Sequence, residues 1–218
     1  MVDHVVIVDS SDRSITLNYY IKENGFLTYG NLNLIGLDKL SDYDFGRLIN
    51  ESYTIDSTKR FSESEIQNNI SSIRRFLANN GFIFGGYDST IVLIDTIKQK
   101  TDITIFFHTG DKYRIGETVI NKRGISINQI NNNLISEIAD FKIDEVYDQS
   151  KVDRSELRLL KTELFTELDI SPKLNDTSNF KIPIEVNTAI GSLNELSPEI
   201  KADNEFNSFN FGLGIGYT

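Results

Sequence analysis

The last ten residues, Phe209-Asn-Phe-Gly-Leu-Gly-Ile-Gly-Tyr-Thr218, restrict the fold more than any other stretch of this chain. Phe209, Phe211, Leu213, Ile215 and Tyr217 alternate with Asn210, Gly212, Gly214 and Gly216. A strict two-residue period marks a strand, because successive side chains leave a pleated backbone on opposite faces. A sheet in water buries its apolar face and puts charge on the other. Here the second face holds only asparagine and glycine, so it is nearly bare and carries no charge. A transmembrane barrel strand has the reverse need: apolar side chains with terminal aromatics face lipid, and small or polar residues face the lumen. The alternation predicts a first barrel strand whose Phe209, Phe211, Leu213, Ile215 and Tyr217 face lipid. The residues before it then stand in front of a barrel.

The chain has 218 residues, 39% of them hydrophobic, which suffices for folded cores and is no signature of disorder. Its net charge of −10 counts against nucleic acid. Phosphate contacts need clustered Lys and Arg, and Lys59-Arg60 and Arg74-Arg75 are isolated pairs. The absence of cysteine excludes disulfides, thiolate nucleophiles and Cys-ligated zinc. No signal peptide is legible, since Met1-Val-Asp-His lacks a basic start and Val5 to Val8 is a short apolar run. No stretch approaches the roughly 20 apolar residues of a membrane helix.

Along the chain, units recur in one order. Residues 14–26 read as a helix ending at Asn24-Gly25-Phe26, with Leu17, Tyr20 or Ile21, and Asn24 at helical spacing. Residues 31–37 alternate like a short strand. Ser41 caps a helix that runs to about Asn50. Ser62 and Glu65 form a capping-box pattern ahead of a stripe of Ile66, Ile70, Ile73 and Leu77. Thr90–Ile94 and Ile103–Phe107 then read as strands around a polar turn. The order repeats: a strand at Tyr113–Ile120, a turn at Lys122-Arg-Gly124, and a helix from Ser126 to about Ile138 on Ile127, Ile130, Leu134 and Ile138. A second helix runs from Ser150 to Phe165 with Leu157, Leu160 and Leu164 inward, then strands at Leu168–Ile170 and Lys181–Val186. Two β-α-α-β-β units in tandem indicate an internal repeat rather than one large domain.

This order, the helix end Arg75-Phe-Leu-Ala-Asn-Asn-Gly81-Phe82 and the strand–turn–strand after it resemble POTRA domains. The link His108-Thr-Gly110-Asp-Lys-Tyr113-Arg-Ile115-Gly is similar to the junction between consecutive POTRA domains, and Leu160-Lys-Thr-Glu-Leu164-Phe165 to the close of the second helix in the last one. Leu196-Ser-Pro-Glu-Ile200, Asp203-Asn-Glu205 and Phe211-Gly-Leu-Gly-Ile-Gly216-Tyr resemble the approach to the barrel in BamA/TamA-like outer-membrane protein assembly factors of the bacterial surface antigen family. The resemblance implies an α+β fold of tandem POTRA domains, each a three-stranded mixed sheet with two helices on one face and its last strand in the middle. The expected division is a partial or shortened upstream POTRA-like segment at 1–28, a POTRA domain at 29–110, a membrane-proximal one at 111–190, and a linker with the first barrel strand at 191–218.

A sheet edge offers unpaired N–H and C=O groups to an incoming strand, and backbone pairing tolerates many sequences. The preferred edge is Ser89, Thr90, Ile91, Val92, Leu93 and Ile94; a buried strand of its own domain is the alternative. Thr166–Leu174 carries Pro172, which removes a donor. Gly110 is the expected interdomain hinge. Rival chemistry is thin. Gly212-x-Gly-x-Gly216 lacks the following helix and spacing of a dinucleotide loop. His4 and His108 are far apart in sequence; His108 reads as a solvated residue at a strand end, since a zinc site or a triad needs partners at a defined geometry that sequence does not supply. Asp9-Ser-Ser-Asp12 lacks the glycine and closing glutamate of a calcium loop and reads as a helix start. Tyr19, Tyr20, Phe26, Phe82, Phe84 and Tyr87 read as core or interdomain packing, with a client-facing patch as the alternative.

The resemblance thus implies a periplasmic module on the outer membrane of a Gram-negative bacterium, with no catalytic residue, no metal and no cofactor. Its expected partners are unfolded outer-membrane proteins, accessory lipoproteins or an inner-membrane-anchored protein, and the outer membrane through a barrel. A dedicated polypeptide-secretion transporter is the near alternative. An α+β hydrolase or nucleotide-binding enzyme is the alternative of another class.

Overall fold

The computed structural model describes residues 2–9, 11–21, 25–56, 58–191, 196–205 and 208–217, and from 192 onward the backbone alone. The chain begins with a hairpin, β1 (Val2–Asp9) paired antiparallel with β2 (Ser14–Ile21). The first repeat comes next: β3 (Thr28–Ile35), α1 (Asp42–Ser52), α2 (Glu63–Asn79), β4 (Gly86–Asp95) and β5 (Lys100–His108). The second contains β6 (Arg114–Gly124), α3 (Asn132–Ile138), α4 (Gln149–Leu160), β7 (Phe165–Pro172) and β8 (Lys181–Ile190). A second hairpin, β9 (Leu196–Glu205) with β10 (Ser208–Tyr217), comes last.

Both repeats build a three-stranded sheet, in the orders β3-β5-β4 and β6-β8-β7. The last strand of each lies in the middle, parallel to the first strand. This is the α+β POTRA arrangement. A central strand has neighbours on both sides, and it carries the core: Ile103, Ile105, Ile182 and Ile184 are at most 1% exposed. Each first strand slips register at one place, between Tyr29 and Leu32 and between Ile115 and Thr118. It then stops at a glycine of positive φ, Gly36 (+87°) and Gly124 (+113°). A Cβ at either would overlap a carbonyl oxygen of the middle strand, Phe107 or Ile190, so only glycine fits. The chain falls into two compact units, Met1–Ser72 with Tyr87–His108, and Ile73–Gly86 with Thr109–Thr218.

Local signals set most elements. The Ser41 side chain accepts from the Asp44 amide to start α1. The stripe of α2 is buried, with Ile66, Ile70, Ile73 and Leu77 at most 4% exposed. Its capping box takes a modified form. The Tyr29 hydroxyl accepts from the Ser62 amide (3.1 Å) and donates to Glu65 (2.7 Å), standing between the two box partners.

Several expectations are corrected. Residues 14–21 are a strand, not a helix. Ile15, Leu17, Tyr19 and Ile21 also satisfy a two-residue period, and Val5–Val8 across the turn supplies partners. The Asp9–Asp12 stretch accordingly closes a hairpin, with Asp9 paired to Ser14. Helix α3 starts after Asn131 rather than at Ser126, because the Asn131 side chain accepts from the Asn133 amide. It buries Ile135, while Leu134 is exposed. Helix α4 ends at Leu160 and buries Val152, Ser155 and Leu159 instead of Leu157 and Leu160. The Ser155 hydroxyl fixes that phase, accepting from the Asp140 amide and donating to the Lys151 carbonyl, both at 2.7 Å. Leu196–Glu205, expected to belong to the linker, is a strand.

Candidate functional site

Strand β4 is the outer strand of its sheet. Four residues join it to β5, a connection short enough only for an antiparallel neighbour. One side of its backbone ladder therefore has no strand against it among the described residues. Ser89, Ile91, Val92, Leu93 and Ile94 are exposed and Thr90 half-buried. The four consecutive aliphatics are 49%, 41%, 65% and 54% exposed. Since side chains alternate along a strand, both faces of β4 present apolar surface. The alternative of a buried strand is not what the structure has.

The ends of this edge are polar. Asp88 meets His108 at 2.5 Å, Oδ1 to Nδ1. At the other end Asp95 accepts from the amides of Lys98 (2.9 Å) and Ile97 (3.0 Å). The Lys98 amide holds the Asp95 carboxyl below its usual range. The turn beyond it carries Gln99 at φ +53°.

The matching edge of the second repeat, β7, differs. Glu167 and Asp169 are exposed along it, and Pro172 closes it without a donor. Charge and proline discourage an added strand. Gly110 lies in the link before β6 with φ +70°, where a Cβ would sit 3.5 Å from Phe84. The side chains of Phe209, Phe211, Leu213, Ile215 and Tyr217 lie outside the described residues; their backbone forms β10, in register with β9 from Tyr217–Leu196 to Ser208–Glu205. His4 lies near Tyr19, with ring centroids 6.4 Å apart, and His108 near Asp88. Among the described residues no group of three His, Asp or Glu could hold a metal ion, and no helix is long and apolar enough to cross a membrane. Phe82 is core at 3% exposure, whereas Tyr19, Tyr20 and Phe26 are exposed.

Two features leave only a faint trace in the sequence. The first hairpin exposes Val5, Val6, Ile7, Val8, Ile15 and Leu17, so it too is apolar on both faces. Its signal is the pair of β-branched runs flanking Asp9–Arg13. The other is a cavity of about 420 Å³ in the second repeat that reaches Ile135, Leu159 and Val186.

No protein-family model matches the chain. It is 25% identical, over 133 residues or 61% of its length, to the outer membrane protein assembly factor BamA of Buchnera aphidicola subsp. Acyrthosiphon pisum (strain APS). It spans 20% of that protein. Its backbone resembles the crystal structure of Haemophilus influenzae BamA POTRA3-5 with a TM-score of 0.56 and 13% identity, covering 86% of this chain and 70% of that one. It resembles Haemophilus ducreyi BamA lacking POTRA domains 1–3 with a TM-score of 0.60 and 12% identity, covering 85% and 34%. At such identities the likeness to solved structures is one of fold.

Proposed function

We propose that this chain, a tandem POTRA region of the BamA/Omp85 kind, is the periplasmic docking module of an outer-membrane β-barrel assembly or translocation protein in a Gram-negative bacterium. It is not an enzyme. It takes extended segments of unfolded outer-membrane proteins, or of partner subunits, by adding them as a fourth strand beside β4. The observation that carries this reading is the unpaired β4 edge with Ile91, Val92, Leu93 and Ile94 exposed on it. Main-chain pairing supplies affinity without demanding a sequence, and the aliphatics reward apolar clients. Hairpin β1–β2 stands in the β-β position of an upstream POTRA-like segment at 1–28, six residues ahead of the first strand of the next repeat, and β10 is the first strand of the barrel. Gly110 is the hinge between POTRA domains.

In an antiparallel ladder neighbouring residues point their amides to opposite sides. Val92→Pro and Leu93→Pro therefore form a matched pair: one removes an amide from the ladder to β5 and lowers Tm, the other removes an outward donor. The outward one should weaken binding of an unfolded outer-membrane-protein peptide at least tenfold with Tm retained, read by fluorescence anisotropy. If that variant binds as the wild type does, β4 is not the site.

A further inference from the structure

Strand β9 occupies part of the expected linker, and it repeats the alternation of β10 in register. The two strands, each of ten residues, pair without a slip. Residues directly opposite in an antiparallel pair share a face. One face of the hairpin therefore sets Leu196 against Tyr217, Pro198 against Ile215, Ile200 against Leu213 and Ala202 against Phe211. Asn204 against Phe209, at the connected end, is the mixed pair of that series. The other face sets every ionisable residue of β9 against a glycine or a small polar residue. Glu199 meets the position of Gly214, Lys201 that of Gly212, Asp203 that of Asn210 and Glu205 that of Ser208.

A two-stranded hairpin is marginal in water unless more strands or a helix cover its apolar face. The second sheet has no apolar face to spare. Its helix side is filled by the repeat's own core, with Ile182 and Ile184 fully buried. Alternation puts Asn121, Arg123, Glu167, Asp169, Glu185 and Asn187 on the reverse. Asn121 donates there to Glu185 (2.8 Å) and Asn187 (2.9 Å). A bilayer does match the hairpin. It takes strands of roughly 9–11 residues with an apolar band ended by aromatics, and with small or polar residues behind. It also forbids a lone strand, because unpaired N–H and C=O groups find no water in hydrocarbon. Pairing with β9 satisfies one side of β10.

We propose that β9 faces lipid together with β10, so that the hairpin, and not β10 alone, is what this chain presents to the bilayer. This rests on the reading of β10 as a barrel strand and goes beyond it. Leu196, Pro198, Ile200 and Ala202 join the lipid face, and Glu199, Lys201, Asp203 and Glu205 stay on the wet side.

The test uses the whole chain and phosphatidylcholine vesicles, with flotation as the readout and the amide spectrum of the two repeats as the check on folding. Ile200→Asp and Leu213→Asp, a directly opposed pair, should each cut flotation about tenfold. Lys201→Asp and Gly212→Asp, the neighbouring pair on the other face, should leave it unchanged. The chain has no cysteine, so a fluorophore on a single introduced cysteine reports each position separately. Lipid carrying a doxyl quencher in its acyl chain should quench Ile200→Cys and Leu213→Cys about threefold more than Lys201→Cys and Gly212→Cys. Loss of flotation with Leu213→Asp but not Ile200→Asp, or quenching that alternates in β10 alone, would overturn the role of β9 and leave β10 as a barrel strand. Equal effects on both faces would overturn it too. A chain that neither floats nor is quenched at any position would overturn the lipid-facing reading of both strands.

Discussion

At the start of the first repeat's opening strand stands Tyr29; at the same point of the second stands Ile115. The position lies beside a strand slip in both, yet it does different work. The Tyr29 hydroxyl reaches the beginning of α2 and joins Ser62 to Glu65. Ile115 is fully buried in an apolar cluster, and α4 takes its cap from Asp148, whose carboxylate accepts from the Ser150 amide and hydroxyl. The edges diverge in the same way. β4 offers aliphatics on both faces, and β7 offers acids and a proline. One topology can therefore carry an aliphatic edge and a charged, proline-closed one, because edge chemistry rests on outward side chains that the core does not constrain.

The sharpest way to break the equivalence of the two middle strands is to hollow each. Ile105→Ala and Ile184→Ala remove fully buried side chains, and each should cost about 2–5 kcal/mol. Urea unfolding tracked by methyl signals from each repeat checks this. A cost below about 1 kcal/mol at one of them would show that its core relaxes around the gap.

The bulge glycines come next. Ala at Gly116 would press its Cβ to 3.1–3.2 Å from the backbone of Ile182 and Pro183, which the central strand holds in place. Overpacking of that kind costs about 1–3 kcal/mol. Ala at Gly30 would meet the Asp102 carboxylate instead, a side chain that can turn aside, though it would give up the 2.6 Å bond from the Asn31 amide. Gly116→Ala should therefore lower Tm more than Gly30→Ala, and the reverse order would refute the matched positions.

Tyr29→Phe keeps the ring and removes the hydroxyl. It should cost about 1–2 kcal/mol through the stranded Ser62 amide, whereas Ile115 has no hydroxyl to lose. Asp148→Ala in the second repeat should cost about 1 kcal/mol as a lost cap. Helicity and denaturation midpoint together separate the two.

The smallest effect is electrostatic. In the second repeat, Asp140 is held below the usual carboxylate range by Arg154 and Arg158, Asp144 by Lys181, and Glu145 by Lys151. In the first, Asp56 is lowered chiefly by the Thr58 hydroxyl and amide and Asp95 by the Lys98 amide. All five have lower pKa values folded than unfolded. Their stabilisation is full above the unfolded values, about 3.9 for Asp and 4.3 for Glu, and is lost as pH falls through the lowered folded ones. Salt screens ion pairs more than hydrogen bonds to neutral groups. Adding roughly 0.5 M NaCl should therefore flatten the acid loss of the second repeat more than that of the first, as amide exchange at several pH values would show.

Local periods and caps were legible in the chain wherever they had no rival. The isoleucine stripe of α2 fits only a helix of 3.6 residues per turn. Ser41 could cap only the helix beginning at Asp42. The recurring β-α-α-β-β order made tandem α+β units readable from residue types alone. Where two periods fit equally, the chain could not choose by itself. Leu17, Tyr20 and Ile21 suit a helix and Ile15, Leu17 and Tyr19 a strand, and the antiparallel Val5–Val8 run settles it. Leucines crowd several faces of α4, and Ser155 bonding to Asp140 chooses among them. Side-chain periodicity likewise left the exposure of β4 open, since Thr90-Ile-Val-Leu-Ile94 reads identically in the middle of a sheet or at its margin, and the preference for an edge came from the POTRA resemblance. The β3-β5-β4 order puts it at the margin, because hydrogen bonds between distant segments, and not side-chain periodicity, decide which strand lies outermost.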